Sequence, residues 1–481
     1  MTVFAEPHPK ADGFSQHMQH ARHTAVGTLQ NFLASALCLP TGILTAAFLT
    51  RQLGSANYGV LTVTVSIVMF IEILTNAGFN RAAVKFISEQ SDWQPAATRI
   101  LQAQLLAGLC GMTVLITAAP LCATWLNSPQ ITRTLRLFAL DIPIAAVTGL
   151  QRSVLIGRGH FGRRAVLSGL FWVSRLVFVI LFVTLKPDVM HALTAILCAS
   201  AVVFIVSRRW TQPALFRRGR FPLSRIWRYS WPLFFFSVGM TGFRRIDLLM
   251  VKALSGLPQA AGYYAAAMNL SIIPDLLSGS LAPLLLAKLA YSHGQTGDHT
   301  SGGLAHHGMR MLLVLLPFAA LTAGASCEIA TFIYGPAFGV TGPLLAVLIF
   351  GSVGTGLISI NTSALVAAGR PRTTFLLMIP TLALAMAGHR LMIPAYGAAG
   401  AAAVTTGLAW LGATASSLMV CRIWQVRLPA ATLMRSLGLC IGSYSLSRLW
   451  PADGALLLVK LPAIALLIII AFFVLNEFGP A

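Results

Sequence analysis

Apolar stretches of about 17 to 25 residues follow one another from roughly residue 28 to residue 475, with only short polar breaks between them. An α-helix of that length crosses a hydrocarbon core of ~30 Å. Only 10% of the residues are charged, whereas a soluble domain carries about a quarter. The chain is therefore predicted to be an all-α integral membrane protein, with nearly its whole length embedded in the bilayer.

The apolar stretches predict about 14 transmembrane helices, within a range of about 12 to 14. The first ~27 residues have no continuous apolar core and no small-residue cleavage site, so they are interpreted as a retained cytoplasmic tail. No connecting loop exceeds ~25 residues, which leaves no room for a separate soluble catalytic domain. The predicted helices span roughly residues 29–50, 59–79, 100–119, 135–155, 165–185, 191–207, 230–254, 262–288, 309–333, 342–367, 373–393, 398–420, 433–447 and 455–475.

The distribution of basic residues places both ends of the chain in the cytoplasm. If the N-terminus is inside, most of the 34 Lys and Arg residues fall in the stretches on the cytoplasmic side, as the positive-inside rule requires. The most basic stretch, residues 208–230, carries seven Arg and divides the chain near its middle. We therefore expect a multi-pass protein of a bacterial inner membrane with two cytoplasmic termini.

Nothing in the sequence indicates a metal, a cofactor or nucleotide hydrolysis. The seven cysteines lie mostly within apolar segments and show no CxxC or Cys/His metal spacing, so they are interpreted as small buried hydrophobic residues. The dipeptide Gly-Lys, which a phosphate-cradling GxxxxGK[ST] loop needs, does not occur. Energy for any transport would have to come from gradients.

The two halves of the chain resemble each other weakly. LTRQLGSANYGVLTV (49–63) and VKALSGLPQAAGYYAAA (251–267) occupy equivalent outer turns, and SVLIGRGHFGRR (153–164) and ALVAAGRPRTT (364–374) occupy equivalent inner ends. Repeats of about six helices that start from the same side are related by an axis along the membrane normal, with any substrate site between them. The predicted organisation is a tail (1–27), an N-terminal six-helix lobe (28–207), a basic linker (208–229), a C-terminal six-helix lobe (230–420) and an additional helix pair (421–481).

Three arginines fall within the predicted helices. A charge at a helix centre costs about 2.5 to 3.5 kcal/mol to insert, so it is expected to face protein or water. Arg175 lies ~10 residues into its predicted helix, about 15 Å from the cytoplasmic end and hence near the midplane. Arg244 and Arg245 lie in the outer half, where a long stem can reach the headgroups. Because a guanidinium binds phosphate bidentately and stays protonated, all three are candidate phosphate ligands, the alternative being that each only pairs with an acid on a neighbouring helix.

The intramembrane acids also have two interpretations. Arg244 and Asp247 are three residues apart and share a helix face, which allows an ion pair, whereas Arg245 points ~100° away. These acids could titrate in ion or proton coupling, or could act as counter-ions for the arginines. The sequence leaves both roles open for the four acids Glu72, Asp141, Asp247 and Asp275.

Several segments together resemble a known family. They are RQLGSANYGVL followed by EILTNAGFNRAAVKFIS, then WPLFFFSVGMTGFRRIDLLMVKALSGLPQAAGYYAAA, and FIYGPAFGVTGPLLAVL. In order and spacing they resemble the polysaccharide-export flippases, the Wzx-type O-antigen and exopolysaccharide flippases of the multidrug/oligosaccharidyl-lipid/polysaccharide (MOP) exporter superfamily. The resemblance extends from about residue 28 to about residue 420. A helix pair beyond the twelve-helix core departs from many members.

The resemblance implies a MATE-like, V-shaped pair of six-helix lobes that works by alternating access. It implies transport of a polyprenyl-diphosphate-linked oligosaccharide repeat unit from the inner to the outer leaflet, for surface or secreted polysaccharide synthesis. The implied partners are that lipid-linked oligosaccharide, membrane lipid, and a polysaccharide polymerase or export machinery. No cofactor and no nucleic acid are implied.

Two other functions fit a chain of this class less well. A MATE-like exporter of drugs or other organic cations should favour acidic and aromatic cavity residues, whereas this chain places arginines there. A membrane-embedded polysaccharide polymerase or ligase usually needs a sizeable outer loop that bears catalytic groups, and no predicted outer loop here is long. We therefore expect a transporter and not an enzyme.

Overall fold

The computed structural model describes residues 37–76, 78–88, 92–212, 222–295 and 298–477. The predicted cytoplasmic tail, the first part of the first predicted helix and most of the basic linker lie outside these residues. The described residues contain helices and turns and no strand. The all-α fold expected from the sequence is therefore confirmed.

The first helices pack mainly against one another and form the N-terminal bundle. The bundle ends where the chain enters the basic linker. Its helices are α1 (Cys38–Asn76), α2 (Phe79–Ser88), α3 (Gln94–Trp125), α4 (Gln130–Phe138), α5 (Asp141–Gly157), α6 (Phe161–Leu185) and α7 (Val189–Thr211).

The remaining helices form the C-terminal bundle, whose most extensive helix–helix contact joins Thr341–Ala367 and Pro371–Trp424. Its helices are α8 (Leu223–Leu254), α9 (Ala260–Leu270), α10 (Ile273–Gln295), α11 (Asp298–Leu313), α12 (Leu316–Gly324), α13 (Ser326–Tyr334), α14 (Thr341–Ala367), α15 (Pro371–Trp424), α16 (Ala430–Leu449) and α17 (Leu457–Val474).

Nine helical stretches among the described residues are long and apolar enough to cross a membrane. Two of them, Cys38–Asn76 and Ile379–Trp424, have 39 and 46 residues, or roughly 58 and 69 Å of helix, about twice the hydrocarbon thickness. Each is bent at one glycine with positive φ, Gly54 at 71° and Gly397 at 59°. Each therefore has the length and the bend for two crossings, and the chain is a multi-pass membrane protein.

The same backbone geometry recurs in the two halves of the chain. Gly54 and Gly256 have φ of 71° and 69° at the two outer turns identified from the sequence, and Gly159 and Gly369 have φ of 74° and 71° at the two inner turns. Glycine adopts such angles without the steric cost of a β-carbon. The two turns of each pair therefore share the same backbone conformation at their glycine.

Several predicted helix boundaries are wrong. The second predicted helix, 59–79, ends at Asn76, and after the turn at Gly78 (φ 83°) the chain forms α2, a helix that the sequence did not predict. The apolar side chains of α2, among them Phe79 and Phe86, are buried in the bundle core, which makes this extension favourable. The predicted helices 262–288 and 309–333 are each broken, with Pro274 and Pro317 in the first turn after a break, since proline cannot continue the helical hydrogen-bond pattern.

The interpretation of all seven cysteines as buried is also wrong. Cys110 and Cys327 are exposed, and the other five are half-buried, all of them with free thiols. Cys110 lies in α3, a helix apolar enough to span the membrane. A thiol behaves as a small hydrophobic group, so exposure to lipid carries little cost.

The C-terminal helix pair is fixed to the rest of its bundle at both ends of α17. Just beyond α17, the buried Glu477 carboxylate pairs with Arg310 of α11 at 2.9 Å and with Arg435 of α16 at 2.6 Å. Towards the other end, Lys460 of α17 pairs at 2.5 Å with Glu328 of α13, and the Lys460 side chain is completely buried. These ion pairs join α16 and α17 to the helices between residues 298 and 334.

The Glu477 carboxylate also accepts a short hydrogen bond from Thr432. Burial raises the pKa of Glu477, but the hydrogen bonds from Thr432, Arg435 and Arg310 and the positive charge of Arg310 outweigh that effect, so the pKa lies below its ordinary value. A depressed carboxyl pKa stabilises the folded state above the unfolded pKa, and this stabilisation is lost as the pH falls through the folded pKa.

We predict that Glu477→Gln lowers the free energy of unfolding at pH 7 by about 1 to 3 kcal/mol, because two arginines lose a charged hydrogen-bond acceptor. The melting temperature of the purified protein in detergent measures the effect. The difference between wild type and variant should shrink as the pH falls through the lowered pKa of Glu477, where the wild-type carboxyl also becomes protonated. A pH-independent difference would contradict this account.

Candidate functional site

Arg175 lies near the middle of α6, 14 residues after Phe161, which is about 21 Å from the inner end and further than the sequence predicted. Its side chain is half-buried, and its Nε is buried without a hydrogen-bond partner. The guanidinium lies 5.5 Å from the centre of the Trp172 ring and within electrostatic range of Tyr58 and Asp141. Among the described residues, no carboxylate forms a salt bridge with it.

Glu72 and Asp141 form a carboxyl pair inside the same bundle. The two groups are within hydrogen-bonding reach of each other, and Asp141 is also within reach of the Ser200 hydroxyl on α7. Asp141 is only 7% exposed and begins α5, about 24 Å from the inner end of that helix at Gly157. Because a hydrogen bond between two carboxyl groups requires a proton, this pair is a candidate proton-binding site.

Asp247 forms a separate polar cluster in the C-terminal bundle. Its carboxylate is buried and accepts hydrogen bonds from the Tyr264 hydroxyl at 2.8 Å and from the backbone N–H of Leu248 at 2.7 Å. Thr405 of α15 lies at 3.4 Å, and Arg245 is within electrostatic range. The cluster therefore joins α8, α9 and α15.

The structure describes the side chain of one of the two arginines beside Asp247. Arg245, which was placed ~100° away from the face shared by Arg244 and Asp247, is within electrostatic range of the Asp247 carboxylate. The predicted partner, Arg244, has a side chain outside the described set. Asp275 lies in the first turn of α10, where its backbone carbonyl accepts a hydrogen bond from Ser278.

The structure thus brings Arg175, Glu72 and Asp141 together in one bundle and Arg245 with Asp247 in the other. Sequence reasoning selected charged residues only and missed the uncharged polar partners, such as Ser200 and Tyr264. Both carry a hydroxyl group in a largely apolar helix, and such residues are common in membrane proteins. Their importance becomes visible only when the helices are packed.

Polar and aromatic contacts join the two bundles on the side predicted to be outer. Asn269 of α9 donates a hydrogen bond of 2.8 Å to the Tyr58 hydroxyl of α1, and the Tyr58 ring meets Phe338 edge-on at 6.4 Å. Close by, Arg51 donates to the backbone carbonyl of Phe332 at 2.7 Å. These contacts connect the first outer turn of the N-terminal bundle to three segments of the C-terminal bundle.

At the same place the backbones of α1 and α9 touch. A β-carbon on Gly262 would lie 1.9 Å from the Ser55 carbonyl oxygen, and one on Gly59 would lie 2.8 Å from the Gly262 nitrogen. Nearer the inner side, a β-carbon on Gly78 would lie 2.5 Å from the carbonyl oxygen of Ser230 on α8. The two bundles are therefore in direct backbone contact both on the side predicted to be outer and on the side predicted to be inner.

The described helices have the fold of MOP superfamily transporters. A solved structure of the lipid II flippase MurJ in an inward closed conformation matches with a TM-score of 0.78 at 15% identity, over 94% of this chain and 99% of that one. A MOP superfamily transporter from Pyrococcus furiosus matches with a TM-score of 0.63 at 14% identity, over 82% and 94%. An inward-facing multidrug resistance MATE family transporter matches with a TM-score of 0.64 at 14% identity, over 79% and 95%. The fold is therefore that of the MOP superfamily structures.

The family follows from the sequence. The family model of the polysaccharide biosynthesis proteins matches residues 26–285, which is more than half of the 481 residues. The chain belongs to this family. No curated protein sequence matches it significantly.

We predict that Gly262→Ala prevents the outer contact between the bundles, since the new methyl group would overlap the Ser55 carbonyl. The test uses a protein whose seven native cysteines are replaced and in which Asn269→Cys introduces one new thiol. When Gly262→Ala is added, this thiol should react at least about tenfold faster with a membrane-impermeant maleimide, because Asn269 contacts Tyr58 in the closed interface. Gly407→Ala is the matched control, since a β-carbon there meets nothing within 4 Å. Equal labelling rates in the two variants would show that Gly262 does not maintain the closed interface.

Proposed function

We propose that the protein is a flippase that carries a polyprenyl-diphosphate-linked oligosaccharide repeat unit from the inner to the outer leaflet of a bacterial inner membrane. The observation that carries the proposal is Arg175, a cation at mid-membrane depth whose guanidinium has no salt bridge to a described carboxylate. Membership of the polysaccharide biosynthesis family and the MOP-type fold support it.

The chemistry of a diphosphate explains why an arginine would be retained at this depth. A planar guanidinium can donate two parallel hydrogen bonds to phosphate oxygens, and it remains charged in a buried setting where a lysine could lose its proton. The Nε of Arg175, buried and without a hydrogen-bond partner, is one of the donors that such a bidentate contact uses. Arg245 and Arg244 of α8 are the further candidate ligands on the opposite bundle.

The substrate's two parts would be handled differently. A hydrophilic glycan cannot cross ~30 Å of hydrocarbon unaided, whereas its polyprenyl tail can stay in the lipid. The headgroup would therefore pass between the two bundles, whose outer and inner contacts would open alternately. Polysaccharide polymerases or export machinery that use the delivered unit are the expected functional partners.

We predict that cells lacking the protein accumulate one discrete polyprenyl-diphosphate-linked oligosaccharide, measured by mass spectrometry of extracted lipids. Arg175→Ala should reproduce the accumulation, because loss of a charged hydrogen bond of about 1.5 to 3 kcal/mol slows transport roughly 10- to 100-fold. Arg175→Lys should give an intermediate pool, since it keeps the charge and loses the bidentate geometry.

Arg136→Ala is the matched control for this experiment. Arg136 is an exposed arginine of the same bundle, at the outer turn in α4, and its loss should leave the lipid-linked pool at the wild-type level. The membrane yield and melting temperature of each variant separate a transport defect from misfolding. An unchanged pool in the deletion strain would contradict the flippase function and favour the alternative, export of an organic cation.

We also predict that the membrane potential assists transport. When the inside of the membrane is negative, each negative charge that moves outward gains about 2.3 kcal/mol per 100 mV. Flipping of a fluorescent polyprenyl-diphosphate sugar in proteoliposomes should therefore accelerate when a potassium gradient with valinomycin imposes an inside-negative potential. Equal rates at zero and imposed potential would contradict net outward movement of negative charge.

A further inference from the structure

Two glutamines in the interior of the N-terminal bundle have incomplete hydrogen bonding. Gln104 and Gln151 are 0% exposed. Gln104 donates to Asn80 at 2.9 Å and Gln151 accepts from Ser207, yet the oxygen of Gln104 and the nitrogen of Gln151 have no partner. Leaving a buried polar atom unpaired costs about 1 to 3 kcal/mol, so such atoms in folded proteins are usually satisfied by ordered water.

Further buried polar atoms without hydrogen-bond partners lie closer to the Glu72–Asp141 carboxyl pair. Asn76 lies one helical turn after Glu72 on α1, and its side-chain oxygen is buried without a partner. Asp141, which is within hydrogen-bonding reach of Glu72, also has one unpartnered carboxyl oxygen. Four unpaired buried polar atoms therefore accompany the carboxyl pair, all within this bundle.

Helix geometry places these groups along one path. Asp141 and Thr148 on α5 are seven residues apart, as are Ser200 and Ser207 on α7, and this spacing puts each pair on one helix face. Gly149 brings the α5 backbone next to Asn80, whose side-chain nitrogen would lie 3.0 Å from a β-carbon there. No side chain of α5 therefore stands between that helix and the Asn80–Gln104 pair.

The break in the helix at Gly78 lies on the same path, between Asn76 and Asn80. Non-helical backbone at membrane depth is tolerated only where it is buried in protein or lines a water-filled cavity. From Asp141 to Gln151 the path along α5 covers ten residues, or about 15 Å, and Gly157 at the inner end of the helix is about 9 Å further.

We propose that Asn76, Asn80, Gln104, Gln151 and Ser207 line a hydrated track that carries protons between the cytoplasmic side of the N-terminal bundle and a proton-binding site formed by Glu72 and Asp141. The ligand of the site is the proton, and water molecules hydrogen-bonded to the unpaired amide and carboxyl atoms relay it. Neither the track nor its waters require the lipid-linked substrate.

The charged groups around the path are few among the described residues. Arg175 of α6 lies within electrostatic range of Asp141, and α7 contributes the neutral Ser200 hydroxyl. At the inner end of the path, Arg152 of α5 has a buried Nε without a partner and lies within electrostatic range of Arg164. These positive charges raise the free energy of a proton in transit, so they slow the exchange.

The test is infrared spectroscopy of the purified protein in lipid vesicles without substrate. Wild type should show the carbonyl stretch of a protonated carboxyl group, and this band should shift on transfer to D₂O. Glu72→Gln and Asp141→Asn should each remove the band, which assigns it to the pair. Gln151→Met and Gln104→Met keep the side-chain length but cannot hold water, and each should lengthen the half-time of the shift at least about tenfold.

Asn361→Leu is the matched control. Asn361 is also a buried amide with an unpartnered oxygen, but it lies in the C-terminal bundle, where it donates to Ser416 and Ser417. Its loss should leave the half-time unchanged. Ser207→Ala, which removes one hydroxyl and adds no bulk, provides a second track variant if a methionine substitution impairs folding, and it should also slow the exchange.

Two results would overturn the proposal. One is the absence of a protonated carboxyl band that depends on Glu72 and Asp141. The other is an exchange half-time in the track variants equal to that of Asn361→Leu. Because no substrate is present, either result leaves the proposed flippase function standing, and an unchanged lipid-linked pool in the earlier experiment leaves the proton track standing.

Discussion

The cost of a charge in hydrocarbon, about 2.5 to 3.5 kcal/mol for Arg or Asp at a helix centre, determines how these helices are oriented. Asp141 and Asp247 are 7% and 2% exposed, so each faces neighbouring helices and not lipid. Once a charged residue must face inward, the rotation of its helix about its own axis is fixed. Apolar packing alone would specify that rotation weakly, because lipid tails are as apolar as the side chains of a membrane helix.

Glycine has the complementary role of bringing backbones together. Because burial of apolar surface does not drive association inside lipid, helices associate there through close packing and polar contacts. Gly59 and Gly262 allow α1 and α9 to meet without intervening side chains, and the Asn269–Tyr58 hydrogen bond lies beside that contact. Such an interface rests on few side chains, so it can separate and reform during transport without unpacking the core of either bundle.

The sequence was sufficient for the all-α membrane fold, because long apolar stretches are visible in the sequence itself. It also singled out the intramembrane charges from which the candidate site is built. It could not identify the partners of Asp247, since Tyr264 and Thr405 are 17 and 158 residues away along the chain. Nor did it indicate the buried glutamines, which carry no charge. The seven-residue spacing from Asp141 to Thr148 and from Ser200 to Ser207 was the one pattern that could have revealed a polar face.

The proximity of Arg175 to Asp141 has a consequence for energy coupling. With one shared proton, the Glu72–Asp141 pair carries a single negative charge that partly offsets the charge of Arg175, which lies within electrostatic range. A second proton removes that negative charge and strengthens the attraction of Arg175 for an anion. By thermodynamic linkage, a bound diphosphate must then favour proton binding at the pair by the same factor. Proton and anion binding in this bundle would therefore be mutually reinforcing, and a substrate that leaves the site would release the proton more readily.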